Sequence, residues 1–296
     1  MGTLPGIWVA MADVDLGRDN DLQAPPVAAP LAALADVSAP SRAGPLQFQY
    51  RVLKAIILRD FASRNADSRI GPLLSVLLPV LTFAVLIVAF QLRGKTVPSE
   101  FPFGVFIMTG YPLWMNFQSL YSRIMGAANR NDSLLMFPQI TQLDLIVSAI
   151  ILDTTINTVV YIFLVIGVII LMGTPIPRDP VGVILVYWSC AWTGSSFGLI
   201  LASASRLFPM LPNLINPFMR FGMWVSGVVF MIDRLPSWTW PYLRWNPILH
   251  AVEGSRQLWT GYQSPIFDPL YIVSIGFIMT TTGLVLERMT RRYVGP

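Results

Sequence analysis

Six stretches of this chain, each of 18 residues or more, run almost free of charged side chains, and that pattern restricts the fold more than any other feature. They cover residues 73–92, 101–121, 146–172, 181–205, 214–232 and 269–286, and only Asp153 and Arg220 interrupt them. About 20 apolar residues make a helix long enough for the roughly 30 Å of hydrocarbon in a bilayer. Continuous apolar runs also argue against a membrane barrel, whose strands alternate over about ten residues. The expected fold is an all-α membrane protein with six transmembrane helices. Composition agrees: 54% of the 296 residues are hydrophobic and 12% charged, against about a quarter charged in soluble domains. A net charge of +4 is too small and too dispersed for nucleic-acid binding. Cys190 and His250 are the only residues of their types, which removes disulfides, cysteine metal motifs and most histidine chemistry.

Basic residues set the expected orientation. Eleven fall on the side shared by both ends of the bundle (from Arg51 to Arg69, then Arg123, Arg130, Arg206, Arg288, Arg291 and Arg292) and six on the other. The positive-inside rule therefore places both termini in the cytoplasm. Residues 1–45 are rich in Ala and Pro, with Asp13, Asp15, Asp19 and Asp21 clustered, and read as a disordered cytoplasmic tail. Residues 46–296 form the membrane domain. Over 48–66, Val52, Leu53, Ile56, Ile57 and Phe61 recur at helical spacing against Arg51, Lys54, Arg59 and Asp60. Such a helix lies on the cytoplasmic membrane surface or packs on the bundle.

Three regions carry functional signals. Residues 122–139 sit in a cytoplasmic loop, where a short helix parallel to the membrane would present Arg123, Arg130, Asn131 and Asp132, either as a docking surface or as a solvated connection. Between Asp233 and Asp268, Trp238, Trp240, Tyr242, Trp245, Trp259 and Tyr262 are interleaved with Arg234, Arg244 and Arg256. These rings anchor a segment re-entering the outer leaflet, or stack on sugar rings while the arginines pair with anionic groups of a substrate. Arg220, inside the fifth stretch, costs about 2.5–3.5 kcal/mol at a bilayer centre, so it faces a cavity or a partner, or snorkels to the cytoplasmic surface.

Catalytic signatures are missing: there is no HExxH, GxSxG or paired-cysteine pattern. Gly94-Lys95-Thr96 looks like the end of a phosphate loop, but Ala89 stands where its first glycine belongs. Any ATP used in transport must therefore be bound by another subunit. A proton-driven transporter would show repeated halves and a buried acidic relay, and Asp153 is the only carboxylate within a span. An enzyme acting on lipid-linked sugars would need a carboxylate pair or metal motif, and none stands out.

Taken in order, these features resemble the permease subunits of type-two ABC exporters, most closely those exporting capsular polysaccharide across the bacterial inner membrane. The resemblance spans about residues 46–292. It rests on the stretch from Arg51 to Phe61, on Ser68-Arg69-Ile70-Gly71-Pro72-Leu73 with Pro79, and on Asn129-Arg130-Asn131 with the segment from Leu134 to Asp144. It rests also on Asn246-Pro247, His250, Glu253, Arg256 and Trp259-Thr260-Gly261-Tyr262.

The resemblance implies a homodimer, two separate ABC ATPase subunits that bind ATP and magnesium, and no cofactor in this chain. The polymer path would run between the two permeases. The stretch 122–137, with Arg123, Arg130, Asn131, Asp132 and Leu134, would couple to the ATPase, beside the interface helix. Residues 233–263 would form re-entrant helices before the last span. There Trp238, Trp240, Tyr242, Arg244, Trp245, Arg256, Trp259 and Tyr262, with Arg220 and Trp224 of the fifth span, would line the path or gate its exit. Tyr111, Trp114, Phe117 and Tyr121 are further canal candidates, or ordinary lipid-facing aromatics. The implied cargo is a lipid-linked acidic polysaccharide, handed on to periplasmic and outer-membrane export proteins. O-antigen, teichoic acid or a drug would use the same architecture.

Overall fold

The computed structural model describes residues 45–64, 71–92, 102–130 and 141–294. Within them the helices are α1 (Pro45–Arg64), α2 (Gly71–Leu92), α3 (Phe103–Met108), α4 (Tyr111–Arg130), α5 (Gln142–Met172) and α6 (Pro180–Leu207). There follow α7 (Leu211–Val225), two 3₁₀ turns (Ile232–Arg234 and Ser237–Thr239), α8 (Trp240–Leu243), α9 (Pro247–Thr260) and α10 (Pro269–Val294). No strand occurs among the described residues. Of the expected tail, residues 1–45, all but Pro45 lie outside them, and Pro45 opens α1.

Local sequence explains where several helices start. Asp179-Pro180, Asn246-Pro247 and Asp268-Pro269 share one signal: the side-chain oxygen accepts an early backbone N–H while proline occupies a position with no N–H to satisfy. The N–H groups of Gly182, Ile248 and Leu270 donate to Asp179 Oδ1, Asn246 Oδ1 and Asp268 Oδ1 at 2.9, 3.0 and 2.9 Å. At α5, Thr141 and Asp144 form a reciprocal capping box.

Helix α6 is the hub, packed against α4, α9 and α10. Gly194 and Gly198 let α4 approach closely, since a Cβ on either would lie 2.9 Å from backbone atoms of Phe117 or Tyr121. Small residues four apart serve this purpose wherever apolar helices meet in lipid. Trp192 of α6 donates to Thr280 of α10 at 3.0 Å, and the α1 residues Val52, Ala55 and Ile56 are buried in a helix that packs on α5. Gln49 reaches Asp144 at 3.3 Å, tying α1 to the start of α5.

Three helices among the described residues are long and apolar enough to cross a membrane: Gln142–Met172, Pro180–Leu207 and Pro269–Thr290. Two other expected spans take a different form. The stretch 101–121 breaks at Thr109-Gly110, where the N–H of Gly110 turns back to Ile107 O at 3.2 Å. The helix that restarts there runs on without interruption to Arg130, so residues 122–130 continue α4 and form no separate surface helix. The stretch 214–232 gives the 15-residue α7, about 22 Å long and too short for a bilayer crossing by itself. It stops at Val225 because Gly227 takes a φ of 74°, and because the carbonyls of Gly227 and Phe230 bond to Arg256 instead of continuing the helix.

Candidate functional site

The aromatic segment before α10 is folded into short helices around one buried polar cluster. The Arg256 guanidinium donates to Glu253 Oε1 at 2.8 Å, to Phe230 O at 2.8 Å and to Gly227 O at 2.6 Å, and it stacks 4.6 Å from the Phe106 ring centroid. Glu253 Oε2 accepts from Ser264 Oγ at 3.0 Å. Both charged side chains are wholly buried. A buried charge is tolerated only when paired and hydrogen-bonded, and here each is. This cluster therefore joins α9 to the chain that leaves α7, to α3 and to the loop before α10.

Arg256 and Trp259 thus depart from the expectation that they line a polymer path. Trp259 is 1% exposed and donates from Nε1 to Pro175 O at 2.9 Å. Both side chains face the interior of the subunit because α9 is covered on nearly all sides, burying every residue from Ile248 to Arg256. The Arg256 side chain holds the segment in shape, so export tests of anion contacts belong to Arg244 alone.

Beside the cluster lies an open cleft of about 610 Å³ whose walls include Trp240, Arg244, Trp245, Ile266, Asp268 and Tyr271. His250 sets its geometry. The N–H of Asp268 can only donate, so Nδ1 accepts it at 3.2 Å, and Nε2 must carry the proton that it donates to Arg244 O at 2.8 Å. Tyr271 stacks on the imidazole at 4.5 Å and donates to Trp245 O at 2.8 Å. The 244–245 turn is thereby fixed to the start of α10, with Trp245 itself 78% exposed. Exposed rings beside an arginine can stack on pyranose faces and pair with a carboxylate.

The remaining sequence candidates scatter. Trp240 is half-buried and bonded to Ile232 O at 3.1 Å. Trp238 and Tyr242 are exposed near the cleft, and Tyr262 is half-buried. Arg220 and Trp224 are exposed on α7. Phe117 and Tyr121 are buried in the seam of α4 with α6, around Phe197, Trp114 is buried beside Phe117 with its ring against Gly222 of α7, and Tyr111 is half-buried against Phe83. Trp114 and Phe117 also border an open cavity of about 320 Å³ that Trp245 helps to line. Arg123 lies 3.4 Å from Asp153, so the carboxylate within the stretch 146–172 faces a guanidinium. Arg130 ends α4, and Asn131, Asp132 and Leu134 lie outside the described residues. Sequence reasoning missed Tyr271 and Asp268 as cleft walls. The signal was the Asp268-Pro269 cap, which fixes where α10 starts.

Comparison with known proteins bears on the whole chain. Residues 51–259 match the family described as ABC-2 type transporter. The polysialic acid transport protein KpsM of Escherichia coli is 27% identical over 245 residues, 82% of this chain and 94% of that protein. The capsule polysaccharide export inner-membrane protein BexB of Haemophilus influenzae is 24% identical over 253 residues, 85% and 95% of the two chains. Its counterpart CtrC of Neisseria meningitidis is 23% identical over 252 residues, again 85% and 95%. With most of its length matched and its apolar helices packed around α6, the chain belongs to the ABC-2 type transporter family.

Proposed function

We propose that this protein is the permease subunit of an ATP-driven exporter that moves a lipid-linked acidic capsular polysaccharide across the bacterial inner membrane. Two copies enclose the path, and two ATP-binding subunits drive it from the cytoplasm, where both termini lie. Six crossings are completed by α2, by α3 with α4, and by α7 together with the short helices that re-enter the outer leaflet. Periplasmic and outer-membrane proteins receive the polymer. The observation that carries the reading is the Trp240, Arg244, Trp245 and Tyr271 cleft, in a chain whose relatives are named for transport of polysialic acid and export of capsule polysaccharide. A polymer of carboxylated sugars calls for flat rings and a guanidinium together.

The packing supports one route for the cycle. Closure of the ATP-binding subunits pushes the segment 122–137, whose first half is the rigid end of α4. Motion of α4 passes through its close seam with α6, and α6 carries it to α9 and α10, which hold the cleft. The Gln49–Asp144 bond keeps α1 moving with α5 on the same side.

Two measurements test this. Arg244→Ala with Trp245→Ala is expected to cut polymer at the cell surface by about tenfold or more, the loss of a charge-assisted contact and a stacking surface. The complex should still assemble; unchanged export would remove the cleft from the path. Arg130→Glu with Leu134→Glu is expected to release a co-purifying ATP-binding subunit and its ATPase activity. If no such subunit is ever recovered with the wild-type protein, the ABC exporter reading fails.

A further inference from the structure

Two charged side chains border the cleft beside α9, Arg244 and Asp268, and no ion pair joins them among the described residues. One imidazole holds both in place: His250 donates from Nε2 to Arg244 O at 2.8 Å and accepts the Asp268 N–H on Nδ1 at 3.2 Å. That ring is rigid and wholly buried, so the backbones of the two residues keep a set spacing. Asp268 uses one carboxylate oxygen on the helix that follows. Its Oδ1 accepts the N–H groups of Leu270 and Tyr271 at 2.9 and 3.3 Å, whereas Oδ2 accepts no hydrogen bond among the described residues. The exposed Arg244 guanidinium donates none there either. A helix cap needs only one oxygen, which serine or asparagine would supply as well. The second oxygen of Asp268 is therefore left over, in a cleft whose volume of about 610 Å³ suits a small ligand and whose walls include the rings of Trp240, Trp245 and Tyr271.

We propose that Asp268 is a specificity-determining residue of this cleft: Arg244 takes the carboxylate of one sugar while Asp268 Oδ2 takes hydroxyl groups of the next, so the cleft selects chains in which acidic and neutral sugars alternate. The inference rests on the exporter reading above and narrows its cargo. A guanidinium beside stacking rings, with no other charge, would favour a chain that carries a carboxylate on every ring. The free oxygen of Asp268 opposes such a chain, because a second carboxylate meets a like charge there. A hydroxyl brings the donor that this oxygen lacks, and a hydrogen bond to a charged acceptor is stronger than one between neutral groups. Since His250 fixes the spacing of the two residues, the cleft reads charge on adjacent sugars and not simply the net charge of the chain.

Binding is measured by tryptophan fluorescence on the full-length protein, with its ATP-binding subunit where that co-purifies, at low ionic strength so that charge in the cleft is least screened. Three tetrasaccharide probes separate the contributions: alternating glucuronate and N-acetylglucosamine, tetragalacturonate with an acid on every ring, and neutral chitotetraose. Wild type is expected to bind the alternating probe about tenfold tighter than chitotetraose and about fivefold tighter than tetragalacturonate. Arg244→Gln should abolish the first preference. Asp268→Asn should abolish the second, because the amide keeps the capping oxygen and puts a donor where the free oxygen stood. Its unfolding midpoint should match that of wild type; if it falls, Asp268→Ser, which caps through a hydroxyl and has no second oxygen, gives the same comparison. A fivefold preference that survives in both Asp268 variants, or that the wild type lacks, overturns the proposal. Failure of the wild type to bind any of the three probes overturns it too and removes the cleft from the path. Neither result touches the exporter reading itself, which recovery of the ATP-binding subunit decides separately.

Discussion

Glu253→Ala is expected to lower stability by about 3–5 kcal/mol, the cost of breaking a buried ion pair by removing one partner. The Arg256 guanidinium would keep its carbonyl partners on Phe230 and Gly227 but lose the Glu253 carboxylate at 2.8 Å, and its charge would stay fully buried. Ser264 would lose its acceptor as well. Thermal unfolding in detergent, followed by tryptophan fluorescence, checks this, because Trp240, Trp245 and Trp259 all belong to the segment the cluster holds. A double change, Glu253→Leu with Arg256→Met, should recover part of the loss by removing both charges at once. An unchanged unfolding midpoint in Glu253→Ala would show that the pair contributes nothing to holding α9 in place.

The second large effect is expected at the seam between α4 and α6. In Gly198→Leu the new Cβ would lie 2.9 Å from Tyr121 Cα and 3.0 Å from Ile124 Cβ. A backbone atom cannot swing aside as a side-chain tip can, so the helices must separate. Overpacking of this kind costs about 1–3 kcal/mol, occasionally more. It should also reduce export beyond the loss of stability if the same seam transmits motion from the end of α4 as proposed above. The control is Gly167→Ala in α5, where a Cβ would meet nothing within 4 Å. There the change should be neutral or stabilise by about 0.5–1 kcal/mol, since alanine favours a helix interior. Equal unfolding midpoints for the two variants would refute the seam as a tight contact.

Much of the architecture was legible without coordinates because lipid solvation acts on each segment alone. A run such as 146–172 has to satisfy its backbone within itself, so its helix follows from composition, and the structure returns Gln142–Met172. The cap signals at Thr141, Asp179, Asn246 and Asp268 are equally local. The aromatic segment could be identified as unusual from its residue types, and Trp240, Arg244 and Trp245 do meet in one cleft. Its interior could not be read. Sequence assigns an arginine and a glutamate three apart on a polar-looking helix to a surface, whereas here the pair is wholly buried. What overrides the expectation is the set of partners supplied 26 and 29 residues earlier in the chain, the carbonyls of Phe230 and Gly227.

Sequence by itself determined that this is a bundle of apolar helices with a basic face, an aromatic segment before its last helix and no nucleotide loop, since each follows from residue types and their spacing along one segment. Only the tertiary structure decided that α7 stops short, that Phe117 and Tyr121 fill the seam with α6, and that Arg256 is a clamp while Arg244 faces a cleft. Those outcomes depend on which distant groups arrive to satisfy a charge, a carbonyl or a ring, and no spacing within a segment encodes that.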